Sequence, residues 1–153
     1  MTGTAAPTVH LLTYRPEQML TWWAALLGVP DPPRGRGRTA VLCSPTINIV
    51  IERSDVAVDY HREACGVTTI AVTPAGPADA VTTIDRLARL GSSPHRATVH
   101  AGFIRLWYRD PNGADVAVDL RSVDPVDGPY DPLFPDELDP QVVVADLRMQ
   151  CVR

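Results

Sequence analysis

A strand, a helix closed by glycine and two or three further strands occur in this chain, and the same order then occurs again. VHLLTY (9–14) reads as a short apolar strand. Pro16 and Glu17 suit the first turn of a following helix, because proline sacrifices no hydrogen bond there and an acid meets the positive end of the helix dipole. Met19, Trp22, Trp23, Leu26 and Leu27 give that helix a wide apolar face, and Gly28 ends it. RTAVLC (38–43) and TINIVIE (46–52) are candidate strands. After the mixed stretch SDVAVDYHREACG the plan restarts with strand VTTIAV (67–72). A helix opened by Pro77 and Asp79, lined by Val81, Ile84, Leu87, Ala88 and Leu90, closes at Gly91. ATVHAGFIRLWYR supplies one or two strands, DPNG a turn and ADVAVDL the last strand. The closing glycines Gly28 and Gly91 stand 63 positions apart. One half of this length has too little apolar surface to bury alone, so two similar halves are expected to share a core.

The chain has 153 residues, enough for a single domain burying roughly 68–70% of its unfolded surface. No apolar run approaches the ~18 residues that span a bilayer, and MTGTAAPTV lacks the basic start and apolar stretch of a secretory signal. A cytoplasmic protein without membrane attachment is expected. Cys43, Cys65 and Cys151 are odd in number and show no CxxC spacing, which argues against a disulfide framework and a structural zinc site.

All 14 basic residues are arginine, so Schiff-base and pyridoxal phosphate chemistry, which need a lysine amine, are excluded. A net charge of −4, with no basic cluster beyond Arg34, Arg36 and Arg38, argues against nucleic acid. No nucleophile elbow, GxGxxG, phosphate loop or HExxH is present. Residues 122–153 differ from the rest. VDPVDGPYDPLFPDELDP is acidic and rich in proline, and QVVVADLRM after it reads as a strand or a short helix, docked on the domain or on a partner.

Strand alternation sorts the side chains into two faces. Val116, Val118 and Leu120 share one face, while Asp115, Ala117, Asp119 and Arg121 share the other. In the preceding strand Ile104, Leu106 and Tyr108 alternate with Phe103, Arg105, Trp107 and Arg109. The two apolar rows meet on one side only if the connection through DPNG has an odd number of residues, so a loop longer than a two-residue Asn-Gly turn is expected. The faces turned away from the helices then offer His10, Tyr14, Asn48, Glu52, Thr69, Phe103, Arg105, Trp107 and Asp119, an apolar lining with a few polar groups of the kind that small-molecule pockets use.

WWAALLG (22–28), then a second strand and helix, then WYRDPNG before a terminal strand, together resemble the vicinal oxygen chelate superfamily over residues 8 to 121. That group includes glyoxalase I, extradiol dioxygenases, and fosfomycin- and bleomycin-resistance proteins. The resemblance implies an α+β fold of two βαβββ modules, 8–53 and 66–121, with curved mixed sheets around a cavity and helices outside. It also implies metal ligands on the first and last strands of each module. Those positions carry Thr8, Glu52, Thr69 and Ala117 here, so only Glu52 retains an acid. His10 and Asp119 each lie two residues from such a position and share its face, which leaves a displaced triad of His10, Glu52 and Asp119 open as a site for Fe, Mn, Zn or Ni.

Without a metal, Asp119 is expected to pair with Arg105 or Arg121. Arg105, between Phe103 and Trp107, suits a carboxylate, phosphate or enolate of a ligand. His10 is either a satisfied strand residue or an acid–base group oriented by Glu52 or Asp119. His61, His95 and His100 are expected in loops or at strand ends, solvated. Three functions follow. The first is a cofactor-free binder of a hydrophobic or aromatic metabolite, as in resistance or natural-product metabolism, which sequesters it or turns it over by acid–base chemistry with His10, Asp119 and Arg105. The second is a metal-dependent lyase, isomerase or dioxygenase, and the third a homodimerisation module whose tail wraps a neighbour.

Overall fold

Pro16 begins α1 (Pro16–Leu27) and Pro77 begins α2 (Pro77–Arg89), each with an acid in the first turn, and a glycine with positive φ follows each helix, Gly28 at 67° and Gly91 at 74°. After α2 the Ser92 and Gly91 amides return to the carbonyls of Leu87 and Ala88 at 3.0 and 2.9 Å, the paired closure that a left-handed residue makes possible. A computed structural model describes residues 6–30, 37–56, 69–100, 102–121 and 136–152. His61, Cys65, Arg34, Arg36 and most of the proline-rich stretch lie outside the described residues.

By contact the chain divides into one unit of Met1–Ala64 with Asp110–Gly113, and a second of Cys65–Arg109 with Ala114–Arg153. In the first, β1 (Thr8–Thr13), β2 (Thr39–Cys43) and β3 (Asn48–Arg53) form a sheet in the order β1-β3-β2, with β1 parallel and β2 antiparallel to β3. The register sets Val9 beside Ile49 and Leu11 beside Ile51, with Leu42 across from Ile49. This row meets α1, whose Met19 and Trp23 are fully buried and whose Trp22 and Trp23 rings touch edge to face at 5.4 Å. Burying each of these large side chains contributes about 1.5–3 kcal/mol.

The DPNG loop belongs to this unit. Asp110 turns the chain by accepting the Asn112 amide at 2.9 Å, and Gly113, at φ 93°, completes the turn. Thr13 donates its hydroxyl to Asn112 Oδ1 at 2.6 Å, and Asn112 Nδ2 donates to the Leu12 carbonyl at 3.2 Å. The motif thus clips the end of β1.

In the second unit β4 (Thr69–Val72), β5 (Arg96–His100), β6 (Phe103–Arg109), β7 (Asp115–Arg121) and β8 (Glu137–Leu138) follow the order β4-β7-β6-β5-β8, with only β4–β7 parallel. In the second unit strand, helix and three strands run in sequence as expected, while the described residues of the first show strand, helix and two strands; in both, the first described strand lies parallel beside the last of these. The connection from β6 to β7 is Asp110–Ala114, an odd length, which pairs Ile104, Leu106 and Tyr108 with Leu120, Val118 and Val116. These form the helix-side core with Ala80, Ile84 and Leu87 of α2.

The end of the chain resolves as a helix. QVVVADLRM lies in α3 (Pro140–Val152), which buries Val143, Val144 and Leu147, while Arg148 reaches Asp85 of α2 at 2.7 Å. Just before it β8 adds to the β5 edge, with Leu138 opposite Ala97. No helix among the described residues is long and apolar enough to cross a membrane.

Tyr108 is fully buried, its hydroxyl has no hydrogen-bond partner among the described residues, and burial pushes its phenol well above the ordinary tyrosine range. Tyr108→Phe keeps the shape and removes the stranded group, so urea unfolding should show a gain of about 1 kcal/mol. A loss would show that the hydroxyl has a partner.

Candidate functional site

The open face of the second sheet, opposite its helices, follows from alternation: Phe103, Arg105, Trp107 and Arg109 on β6, Asp115, Ala117 and Asp119 on β7, Arg96, Thr98 and His100 on β5. Register sets Arg105 directly between Thr98 and Asp119. The guanidinium forks onto the carboxylate, Nε to Oδ1 at 2.7 Å and Nη2 to Oδ2 at 2.8 Å, with side chains only 21% and 14% exposed. Of the two partners open to Asp119, the structure selects Arg105. Rings bracket the cation, with Phe103 and Trp107 centroids each 5.3 Å from its central carbon.

A second chain of contacts runs alongside. Trp107 Nε1 donates to the buried Thr98 hydroxyl at 2.8 Å, and that oxygen lies 2.8 Å from His100 Nε2. Because the indole can only donate, the threonine proton is available for His100, which favours a neutral ring accepting at Nε2. His100 stacks flat on Phe103, with centroids 4.8 Å apart and planes 5° from parallel. Burial lowers its pKa below the usual imidazole value, Arg105 lowers it further, Asp119 offsets part of this and Arg96 adds to the lowering. Arg96 lies 5.8 Å from the Trp107 ring and is held at 2.8 Å by Glu137.

His100 and Thr98 were not among the residues that alternation singled out. His100 does stand at a strand end, but it faces the cluster and not bulk solvent alone. The available signal was the spacing in ATVH, which puts Thr98 and His100 on one face, carried across the short connection that sets His100 opposite Phe103.

The other expected residues are distributed between the units. On the open face of the first sheet His10 lies beside Val50 and Glu52 beside Leu12, both side chains exposed, and Asn48 is half-buried with its amide 3.4 Å from the Ala6 carbonyl. Tyr14 falls just past the end of β1, half-buried, with Arg15 4.7 Å above its ring. Thr69 opposes Asp115 on β4. His10, Arg105 and Asp119 thus all lie on helix-free sheet faces.

The positions that would hold a metal by resemblance offer two hydroxyls at Thr8 and Thr69, the fully buried methyl of Ala117 and one carboxylate, Glu52. Such a donor set does not fit a divalent ion. Within neither unit do three His, Cys, Asp or Glu side chains gather among the described residues, and both Asp119 oxygens already accept from Arg105.

No protein-family model matches the chain, and no curated protein matches it. Solved structures do. A glyoxalase/dioxygenase from Nostoc punctiforme superposes with a TM-score of 0.61 at 10% identity, over 75% of this chain and 89% of that one. A glyoxylase/bleomycin resistance protein/dioxygenase domain from Frankia sp. EAN1pec gives 0.59 at 16% identity, covering 80% and 94%. TioX from Micromonospora sp. ML1 gives 0.54 at 15%, covering 78% of this chain and all of that one. With the two sheets and their parallel first and last strands, these likenesses establish that the chain has the vicinal oxygen chelate fold.

Removing Arg105 strands a carboxylate that is mostly buried. Arg105→Met should cost about 1–3 kcal/mol in urea unfolding, and adding Asp119→Leu should recover part of that loss. Strict additivity of the two substitutions would show that the fork contributes nothing.

The lowered pKa of His100 implies a definite pH dependence. Its folded value lies below the unfolded value of about 6.5, so as pH falls through that point the unfolded chain takes up the proton first. Stability should decline from there to the folded pKa and level off below it. His100→Gln should abolish that decline in the urea midpoint, and an unchanged pH profile would assign it elsewhere.

Proposed function

We propose that this chain binds a small hydrophobic or aromatic molecule against the open sheet faces, without the chelated ion that gives the fold its name. The carrying observation is the arrangement on the second sheet, where Phe103, Trp107 and the Arg105–Asp119 fork are locked side by side with His100. Pairing leaves this surface with little net charge, so planar apolar ligands gain from stacking while the fixed dipoles orient any polar edge. Donor chemistry at the resemblance positions supports the metal-free clause. Names printed for the structural neighbours range over bleomycin resistance, dioxygenase, lactoylglutathione lyase and oxidase, so the fold alone selects none of them.

Sequestration is the reading these features support best. Acid–base turnover of the same ligand is a second reading, favoured by the depressed pKa of His100, which keeps an imidazole neutral and able to accept a proton near pH 7. In that reading Arg105 stabilises developing negative charge, Asp119 holds Arg105 in place, and His10 is a further candidate acid or base.

Titration with 1-naphthol and 1-naphthoate, which differ in carrying a carboxylate, tests the proposal by calorimetry. At least one should bind, and Trp107→Ala should weaken it about tenfold, near 1.4 kcal/mol. Absence of binding by both, or indifference to Trp107→Ala, would overturn the site. Near-stoichiometric Fe, Mn, Zn or Ni in protein purified without chelator would overturn the metal-free clause.

A further inference from the structure

α3 does not lie flush on the second sheet. Between it and the helix-side face is a cavity of about 440 Å³, within the range of small-molecule sites and far larger than the voids of a packed core. Its floor is apolar: Leu120, Val143 and Leu147 are 7–8% exposed, with Ile104 beside them. Leu138 and Val142, 39% and 55% exposed, carry the apolar lining out to solvent. Ile104 and Leu120 point away from Arg105 and Asp119, because neighbouring strand residues face opposite sides, so the apolar floor of this cavity lies across the sheet from the open-face site, while Arg121 at its mouth belongs to the strand row of Asp119.

Chemistry at the mouth limits the ligand. Among the described residues its polar lining is Arg121, Asp139, Asp146 and Gln150, all four exposed. The Asp139 carboxylate is engaged in accepting the Gln141 amide at 2.8 Å at the start of α3. Arg121 stands against two carboxylates, Asp139 and Asp146, so the described mouth has more negative than positive charge and disfavours an anionic head group. Gln150 offers both a donor and an acceptor.

We propose that this cavity is a second ligand site, one that takes a small, largely apolar molecule with a single hydrogen-bonding end and no negative charge. Apolar surface drives entry, since the lining is a poor host for water, and the mouth selects against negative charge.

N-phenyl-1-naphthylamine, a neutral probe that fluoresces in apolar surroundings, tests this with the full chain. Wild-type protein should show saturable binding. Val142→Trp, at an exposed position where folding tolerates bulk, should lose about tenfold in affinity for one class of site that Trp107→Ala retains. 1-Anilinonaphthalene-8-sulfonate, the same skeleton with a sulfonate, should bind that site at least about tenfold more weakly. No saturable binding, or a site lost in Trp107→Ala and untouched by Val142→Trp, would overturn the assignment, and equal affinity for the sulfonate would overturn its selection against anions. Because Val142 lies apart from the open face, naphthol or naphthoate binding there should be the same in Val142→Trp, so the two proposals fail independently.

Discussion

The parity of one connection controls both faces of the second sheet. β6 and β7 each alternate apolar with polar side chains, and a hairpin connection of odd length sets like against like. Asp110–Ala114 has that length, held by the Asp110 side chain on the Asn112 amide and by the left-handed Gly113. With a two-residue turn, the apolar row of one strand would face the polar row of the other, and Arg105 would lie against the core. The separation of an apolar helix side from an aromatic, charged open side rests on five loop residues.

From that register the electrostatics of the open face follow. Arg105 and Asp119 are directly opposed, so their fork forms without reaching, and each satisfies the other at a depth where an unpaired charge would be costly. Arg96 is similarly occupied by Glu137, and Arg109 lies 3.7 Å from Asp115. Three arginines thus contribute shape, stacking and dipoles more than net field. Asp119 is neither a bare base nor a bare metal ligand while Arg105 holds it, and His100, its pKa lowered by burial and by Arg105, contributes an uncharged imidazole to this face.

What could be read from the sequence was what local chemistry decides. Proline at a first turn and glycine after the last mark helix ends regardless of tertiary context, so Pro16, Gly28, Pro77 and Gly91 located both helices. Alternation likewise assigned the faces of Arg105, Trp107 and Asp119. Choosing between Arg105 and Arg121 as the partner of Asp119 required the register, which only the folded loop supplies. His100 escaped notice because its setting comes from three neighbours at once: the Phe103 ring, the Thr98 hydroxyl and the field of Arg105. QVVVADLRM stayed ambiguous for a related reason. A run of valines suits either a strand or a buried helix, and docking against α2 and the second sheet selects the helix.

Duplication sets which strands of each unit become neighbours. In each unit the strand before the helix lies parallel beside a later one, β1 with β3 and β4 with β7, so residues placed on those strands become neighbours although far apart in sequence. In the second unit that seam pairs Thr69 with Asp115 and Ala71 with Ala117, which leaves a hydroxyl, a methyl and an acid within reach of Arg109. Farther along, β4 ends at Val72 opposite Val118, and Asp119 is the next residue beyond that pairing. With no β4 residue registered against it, its carboxylate finds its partner across the other neighbour, β6, and the cluster continues from there to Thr98 and His100 on β5. The cluster of paired and stacked residues therefore lies along the antiparallel seams and not along the parallel one. A surface built there from paired charges and stacked rings presents aromatic faces and fixed dipoles, with both Asp119 oxygens already engaged by Arg105.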